Sequence, residues 1–381
     1  MPASFAPIDA APVTAPGPER GSVVPATLFT PGPVMMAAAT RSEGGGQMVY
    51  HRTAGFSRCI LHCETLLKQA CGAAADDRVV MLTGSGTAAM EATVLNLFAP
   101  GERVLVVNAG DFGRRFSEIA AVHGLAVVEI EIAPGRPLAA EDLRPHARGG
   151  FAGLLVNHHE TSTGSLMDLA LPARFCRAEG LLFVVDAISS FLADPLDMAE
   201  SGIDALILSS QKALALPPGM GFAVLGARAI GRVGTFAPRS YYFDFGRYLA
   251  DIPRGQTPFT PAVGILRQLE RRLDGLLQSG ISGQIAAVRL LAADFREKIR
   301  SLPFRLFSAC PSNAVTALEP LGGVPPAFYV RRLAEEFGLF VCPNGGSLRD
   351  RIFRVGHLGE LTPADNTRLV AALRALGPLP L

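Results

Sequence analysis

The sequence predicts an α/β fold in which a mostly parallel sheet lies between helices, with a smaller α/β domain at the C-terminus. Two observations support this prediction. The first is that short, continuously apolar strands alternate with helical segments along most of the 381 residues, a pattern typical of parallel strands covered on both faces. The predicted strands of the first region are residues 78–82, 103–108, 125–132, 153–157, 181–185 and 205–208, with a further pair of strands after Phe222.

The second observation is that polar clusters follow these strands, at residues 83–87, 108–112, 157–164, 186–190 and 209–212. Open parallel sheets bind their ligands at the carboxyl ends of the strands. We therefore expect the five clusters to meet at one edge of the sheet. This convergence is stronger evidence for a site than any one motif.

Composition and periodicity also indicate the domain organisation. Residues 1–27 are rich in Ala and Pro, carry few charges and lack the basic start and apolar stretch of a signal peptide, so we predict a disordered leader. A large domain with an N-terminal arm is predicted over residues 28–280. Alternating helices and strands resume after a hinge-like segment at 280–283, which predicts the smaller domain over residues 281–381.

Composition excludes several classes of function. The net charge is +1 without any basic block, so nucleic-acid binding is not expected. No apolar run is long enough to span a membrane. The six cysteines form no CxxC pair and no histidine joins them at ligand spacing, so we expect neither a disulfide framework nor a metal site. Reduced thiols indicate a cytoplasmic protein.

The stretch at residues 204–222, DALILSSQKALALPPGMGF, contains the first candidate catalytic residue, Lys212. It is the only lysine between Lys68 and Lys298. Burial among Leu, Ala and Pro would lower the pKa of its amine, and a neutral amine is a nucleophile that forms Schiff bases with carbonyl compounds. Taken alone, this stretch equally allows a loop lysine that extends to water.

The turn at residues 83–87, TGSGT, lies between a predicted strand and a predicted helix at 88–98. Glycines let the backbone come close to a ligand, and the free N–H groups at a helix start bind phosphate. The turn therefore indicates a phosphate site. An ordinary turn with a Ser or Thr helix cap is the alternative explanation of the same residues.

Eight segments together resemble one family. They are FTPGPV (29–34), HR with a following Phe (51–56), GSGTAAMEA (84–92), NAGDFGRRF (108–116), HHETSTG (158–164), VVDAISS (184–190), SSQKALALPPGMGF (209–222) and FRVGHLGE (353–360). The chain resembles the class V aminotransferases, pyridoxal-phosphate (PLP) enzymes of fold type I. Within that family it is most similar to the alanine–glyoxylate, serine–pyruvate and 2-aminoethylphosphonate–pyruvate transaminases.

The resemblance implies a role for each strand-end cluster. Lys212 would form a Schiff base with PLP and later move the α-proton, and Asp186 would keep the pyridine nitrogen protonated. Phe112 would stack on the pyridine ring, and Arg354 would bind the substrate carboxylate. Further contacts are implied at the phosphate for Ser85, Gly86, Thr87 and Gln211, at the cofactor for Ser162, from the partner subunit of a homodimer for Thr257 and Thr260, and at the substrate for Gly32.

Structural alternatives exist for two of these residues, because Asp186 could cap a helix and Phe112 could be a core aromatic residue. The predicted function is transfer of an amino group from a small amino acid or aminophosphonate to a 2-oxo acid such as pyruvate or glyoxylate. A PLP-dependent lyase of the β-elimination type and a non-catalytic binding protein are the alternatives. Cysteine desulfurases of this fold have a histidine before the lysine, whereas this chain has Gln211. Four cations, His51, Arg52, Arg239 and Arg247, are candidates for binding a phosphonate donor.

Overall fold

A computed structural model describes residues 26–377. The strands in chain order are β1 Thr27–Phe29, β2 Arg78–Thr83, β3 Arg103–Asn108, β4 Ala126–Glu131, β5 Gly153–Asn157, β6 His159–Glu160, β7 Ser165–Leu166, β8 Leu182–Asp186, β9 Ala205–Ser209, β10 Met220–Leu225, β11 Phe304–Leu306, β12 Val315–Pro320, β13 Leu339–Pro343 and β14 Phe353–Gly356. The α-helices are α1 Ala38–Gly44, α2 Ala54–Cys71, α3 Gly86–Leu97, α4 Asp111–Val122, α5 Ala140–Leu143, α6 Ala170–Glu179, α7 Ala227–Arg232, α8 Phe245–Asp251, α9 Val263–Ser279, α10 Ile281–Lys298, α11 Pro326–Phe337 and α12 Pro363–Leu376.

The larger sheet has seven strands in the order β2-β10-β9-β8-β5-β3-β4. Strand β10 runs antiparallel to both of its neighbours, and the other pairs are parallel. The predicted, mostly parallel sheet is therefore confirmed. The predicted pair of strands after Phe222 is wrong, because β10 itself contains Phe222 and α7 follows it. An antiparallel strand between parallel ones does not differ in apolar pattern, so the sequence could not reveal its direction.

The apolar strands are covered on both faces. Along β2, Val79 and Met81 pack into one buried cluster with α2 and α9, whereas Val80 and Leu82 pack into a second cluster with α3 and α8. This alternation places every second side chain on the same face. It explains why the predicted strands are continuously apolar, since both faces are buried against helices.

The second sheet has five strands in the order β1-β13-β14-β12-β11 and packs against α10, α11 and α12. Its first strand comes from the N-terminal arm, because β1 pairs in parallel with β13. Within the leader predicted at 1–27, the structure describes only Ala26 and Thr27, and Thr27 begins β1. The remaining leader residues lie outside the described part. The domain boundary near 280 stays a prediction.

Two long helices, α9 and α10, meet at Gly280 with a bend of 88°. In the described part of the chain no single helix is long and apolar enough to cross a membrane, and this bent pair meets the length and composition criterion only when its two helices are taken together.

Candidate active site

Lys212 lies in a tight loop directly after β9, at the carboxyl edge of the large sheet. Ser210 fixes the loop, because its hydroxyl donates to the carbonyl of Pro217 at 2.7 Å and its amide donates to the carbonyl of Met220 at 3.0 Å. Residues 213–216 are buried, and Ala215 has a φ of 54°, a conformation that is costly for a residue with a side chain. Hydrogen bonds and packing together hold the backbone that carries Lys212.

The surroundings of Lys212 favour its neutral amine. Burial, followed by the positive charge of Arg354, lowers the pKa of Lys212 to about 8. Gly32 approaches this lysine closely: a Cβ at that position would lie 2.6 Å from Cδ of Lys212 and 2.8 Å from the carbonyl oxygen of Gln211. Its φ of 147° also favours glycine. The structure therefore brings Gly32, predicted at the substrate, against the predicted catalytic lysine.

Asp186 ends β8 with a buried carboxylate. Its Oδ2 accepts a hydrogen bond from Nδ2 of Asn157 at 2.6 Å, across the β5–β8 pair, and its Oδ1 accepts one from the amide of Ile188 at 2.8 Å. Burial raises the pKa of Asp186 to about 6. No helix follows it before β9 in the described chain, so a turn stands where the alternative explanation expected a helix cap. A buried carboxylate at a strand end fits the pyridine nitrogen of PLP.

The predicted phosphate turn forms the N-terminus of α3. Ser85 is the N-cap, and its hydroxyl accepts a hydrogen bond from the amide of Ala88 at 3.4 Å. Gly86 is buried, and a Cβ there would lie 2.6 Å from Cδ1 of Ile188 and 3.2 Å from Cβ of Ser209. This close packing brings the phosphate turn against the Asp186 turn and the strand that leads to Lys212. Three of the predicted clusters thus meet at one edge.

Arg115 connects the phosphate turn to the predicted stacking residue. Its Nη1 donates to the hydroxyl of Thr87 at 3.2 Å, and its guanidinium carbon lies 4.7 Å from the ring centroid of Phe112. Phe112 itself is half-buried in the first turn of α4. Gln211 also turns toward this edge, where its side-chain oxygen accepts a hydrogen bond from the hydroxyl of Ser209.

Ser162, predicted at the cofactor, is buried within the polar cluster at 157–164. Its hydroxyl donates to Glu160 at 2.5 Å and accepts from the amide of Asp111 at 3.0 Å. The neighbouring Thr161 donates through its hydroxyl to Ser189, beside Asp186, at 2.9 Å. Ser162 thus bonds the start of α4, and its contact with the cofactor stays a prediction.

Arg354 projects from β14 toward the same cluster. Its Nη1 donates to the carbonyl of Thr161 at 3.1 Å, and its Nη2 donates to the carbonyl of Pro343 at 2.7 Å and to Sγ of Cys342 at 3.1 Å. Within residues 26–377 no carboxylate pairs with this guanidinium, and its Nε is buried without a partner. Because no acidic side chain of the described residues pairs with it, this half-buried guanidinium is suited to bind an anionic ligand.

Thr257 and Thr260 lie on a separate turn before α9. The hydroxyl of Thr257 donates to the carbonyl of Phe259 at 2.7 Å, and its own carbonyl accepts from Nη1 of Arg52 at 2.9 Å. Thr260 is exposed. Neither threonine hydrogen-bonds to Lys212, Asp186 or Arg354 in the described chain, and their role in the site of a neighbouring subunit stays a prediction.

Three residues of this site were not predicted: Asn157, Glu160 and Arg115. Two of them belong to the polar cluster at 157–164, and Arg115 lies within the motif NAGDFGRRF, so a signal was present. Their partners lie on other elements, which the sequence does not show. The described residues contain no group of three His, Cys, Asp or Glu side chains arranged for a metal.

Similarity to known proteins identifies the family of this chain. The family model of the class V aminotransferases matches residues 25–316. The chain belongs to the class V aminotransferases. A 2-aminoethylphosphonate–pyruvate transaminase of Burkholderia mallei is 34% identical over 373 residues, which cover 93% of this chain and 96% of that protein. A Synechococcus protein named soluble hydrogenase, small subunit, is 31% identical over 359 residues, 92% of each chain.

A solved structure agrees with this assignment. The aspartate aminotransferase of subgroup IV from Thermus thermophilus is 34% identical and superposes with a TM-score of 0.85, over 92% of this chain and 98% of its own. The predicted fold type I architecture is confirmed. This class V aminotransferase is a PLP-dependent transaminase, and the lyase alternative is not favoured.

Proposed function

We propose that this transaminase moves an amino group from a small amino acid or an aminophosphonate to a 2-oxo acid such as pyruvate or glyoxylate. The observation that carries the proposal is Arg354, whose guanidinium has no acidic partner in the described chain. Burial, and after it the charge of Arg354, lowers the pKa of Lys212. An unpaired guanidinium beside a nucleophilic amine suits a substrate that carries an acid group next to its amino or keto carbon. The names of the Burkholderia and Thermus relatives support an aminophosphonate or an α-amino acid donor.

Lys212, Asp186 and the start of α3 have separate proposed roles in amino transfer. PLP, when bound, supplies an electron sink for the carbon that loses a proton. Lys212 is proposed as the residue that would hold PLP covalently, and its Nζ would then carry the proton of the substrate α-carbon. Asp186 would keep a proton on the pyridine nitrogen, and Asn157 fixes the orientation of that carboxylate. The N-terminus of α3 would hold the phosphate.

The contacts of the three candidate arginines restrict where a phosphonate could bind. Arg239 donates to the carbonyls of Leu95, Phe98 and His123. Its guanidinium therefore caps the C-terminal ends of α3 and α4 and is not directed at a ligand. Arg247 pairs with Asp244, and Arg52 bonds the turn at Thr257. We therefore propose Arg354 as the principal acid-binding cation for either class of donor.

Arg354→Lys is expected to weaken binding of pyruvate, glyoxylate and α-amino acid donors by roughly thirty- to several-thousand-fold. Lysine keeps the charge but loses the planar fork that meets a carboxylate through two hydrogen bonds. The measurement is the two half-reactions, followed separately with alanine and with 2-aminoethylphosphonate. Arg351→Lys is the matched control, because Arg351 is exposed and pairs with Glu319.

Each result of this measurement has a defined meaning. Equal losses for the two donors support one shared acid-binding site at Arg354. A loss confined to alanine indicates a second cationic site for the phosphonate. Unchanged rates with both donors and with pyruvate would remove Arg354 from the active site and contradict the proposal.

We also propose a homodimer in which the turn at Thr257 and Thr260 completes the phosphate site of the partner subunit. Thr260 is exposed in the described chain, and the nearby Tyr241 is 69% exposed. The segment at 48–50 adds three more exposed hydrophobic side chains. Exposed apolar residues around a turn suit a surface that a second copy covers.

Subunit mixing tests this shared site. Lys212→Ala and Thr260→Ala enzymes, each poorly active at low PLP concentration, are expected to regain about a quarter of the wild-type rate after dissociation and reassociation, since half of the dimers contain one complete site. Thr367→Ala on α12 is the control, because it should be active alone. A monomeric active enzyme, or mixed dimers without any regain, would refute the shared site.

We propose that the enzyme acts in the cytoplasm. All six cysteines lie in the described chain, and none is paired in a disulfide. Four of them are buried. A hydrogen bond with Cys59, together with burial, raises the pKa of Cys63, and burial raises the pKa of Cys71 and Cys176, which keeps these thiols protonated and unreactive. Such thiols suit a reducing compartment.

A further inference from the structure

Helix α4, which carries Phe112, begins without a capping side chain of its own. Its N-cap is Gly110, and no local side chain satisfies the first turn. The first amides of any helix need acceptors from elsewhere. Here they donate to two side chains of the segment at 160–162: Asp111 to Oγ of Ser162 at 3.0 Å, Phe112 to Oε2 of Glu160 at 3.2 Å and Gly113 to the same oxygen at 3.0 Å.

Four hydrogen-bond donors satisfy the buried carboxylate of Glu160. Besides the two helix amides, it accepts from the amide of Ser162 at 3.1 Å and from its hydroxyl at 2.5 Å. Burial raises the pKa of Glu160, and these donors oppose the rise. In the described chain no arginine or lysine pairs with it, so the positive end of α4 supplies the compensating charge.

Gly110 makes this contact possible. A Cβ at that position would lie 2.8 Å from Cδ of Glu160 and would overlap Oγ of Ser162. Any larger residue would push the 160–162 segment away from the helix. The close approach joins a loop of the large sheet to one specific turn of α4, and that turn carries Phe112.

We propose that Glu160 is a positioning residue: its carboxylate holds the first turn of α4, and so places the Phe112 ring where it stacks on PLP. The role rests on the proposed function and on the predicted stacking of Phe112 on the cofactor. Glu160 bonds the amide of Phe112 itself, so it fixes the backbone from which the ring projects. It acts through Phe112 and does not touch the reacting atoms.

The test uses Glu160→Gln, which keeps the shape of the side chain but replaces one acceptor oxygen by an N–H₂ group. In either orientation this group faces amides that need an acceptor, those of the helix or that of Ser162. In the cofactor-free protein, hydrogen exchange of the peptide at 109–116 is expected to become about tenfold faster or more. In the loaded enzyme, the dissociation constant for PLP is expected to rise about 10- to 100-fold, with a weaker visible circular dichroism of the bound cofactor.

Two further variants isolate the effect. Gly110→Ala disturbs the same contact from the other side and is expected to change exchange, affinity and dichroism in the same direction. Glu118→Gln is the control: Glu118 lies exposed on the same helix beside Arg114, so its loss should leave all three measurements at wild-type values.

The outcomes separate this role from the proposed function. Faster exchange without any change in PLP affinity or dichroism would show that Glu160 is merely structural, and unchanged exchange would also overturn the role. Either result would leave the proposed function intact if the wild-type enzyme binds PLP and transaminates. A wild-type protein that binds no PLP would overturn the proposed function, and the positioning role with it.

Discussion

Lys212→Ala is expected to lower the rate of transamination by about a thousandfold or more while the protein stays folded. The Nζ of this residue is proposed both to hold the cofactor covalently and to move the α-proton, so one substitution removes two functions. The fold should tolerate the loss, because burial lowers the pKa of the amine and its removal relieves a desolvation cost. The measurement is single-turnover amino transfer, together with far-UV circular dichroism and thermal unfolding.

Reduction with borohydride provides an independent measurement on the same lysine. Borohydride would fix the pyridoxyl group of the cofactor on the lysine as a label. The chain has only three lysines, Lys68, Lys212 and Lys298, so peptide mapping can assign this label without ambiguity. We expect the label on Lys212 alone and no label in the Lys212→Ala variant. Lys68→Ala is the control, because Lys68 is half-buried on α2, where its ammonium donates to the carbonyl of Ala75. Near-wild-type transfer by Lys212→Ala would refute the assignment.

Asp186→Asn is expected to retain PLP but to lower the rate by about 10²- to 10³-fold, since a neutral amide no longer stabilises the proton on the pyridine nitrogen. The site can accommodate this change. Oδ1 of Asn157 has no partner in the described structure, so the Asn157 amide can turn over and accept from the new N–H₂ group. The loss should therefore reflect charge rather than geometry.

The same substitution makes a prediction about stability with a defined pH dependence. Burial raises the pKa of Asp186 to about 6 in the folded, cofactor-free protein, above its unfolded value near 3.9. The ionised carboxylate therefore destabilises the fold above about pH 6, and the cost disappears below about pH 4, where both states are protonated. Asp186→Asn should raise the free energy of unfolding of the cofactor-free protein by on the order of 3 kcal/mol at pH 7, and not at pH 4.

Asp204→Asn is the matched control for Asp186. Asp204 is also a buried carboxylate at the edge of a strand, but it accepts from the amide of Phe183 and pairs with Arg228. Its replacement should leave the absorption of bound PLP unchanged. If Asp186→Asn had the wild-type rate and absorption spectrum, the proposed role of Asp186 at the pyridine nitrogen would be refuted.

The local pattern of apolar and polar residues was sufficient to predict most strands of the large sheet and the edge where ligands bind. Continuous apolar runs such as residues 181–185 predicted buried strands, because a strand covered on both faces must be apolar at every position. Polar residues that interrupt such runs predicted the edge where ligands bind, since the carboxyl ends of parallel strands share one edge. The clusters that contain Gly86, Asp186 and Lys212 were found in this way, and the structure brings these clusters together. The resemblance to the class V aminotransferases implied the roles of Asp186 and Gly86.

Tertiary structure alone decided the rest. Strand β1 joins β13, which lies more than three hundred residues later in the chain, and β10 enters the large sheet antiparallel. The partners of the functional groups are equally remote: Asn157 orients Asp186, Glu160 holds the turn of Phe112, and Arg354 bonds Thr161. The sequence by itself determined which chemical groups stand at strand ends, because that depends on neighbours in the chain. Which group orients which depends on contacts between distant segments, and only the folded chain creates those contacts.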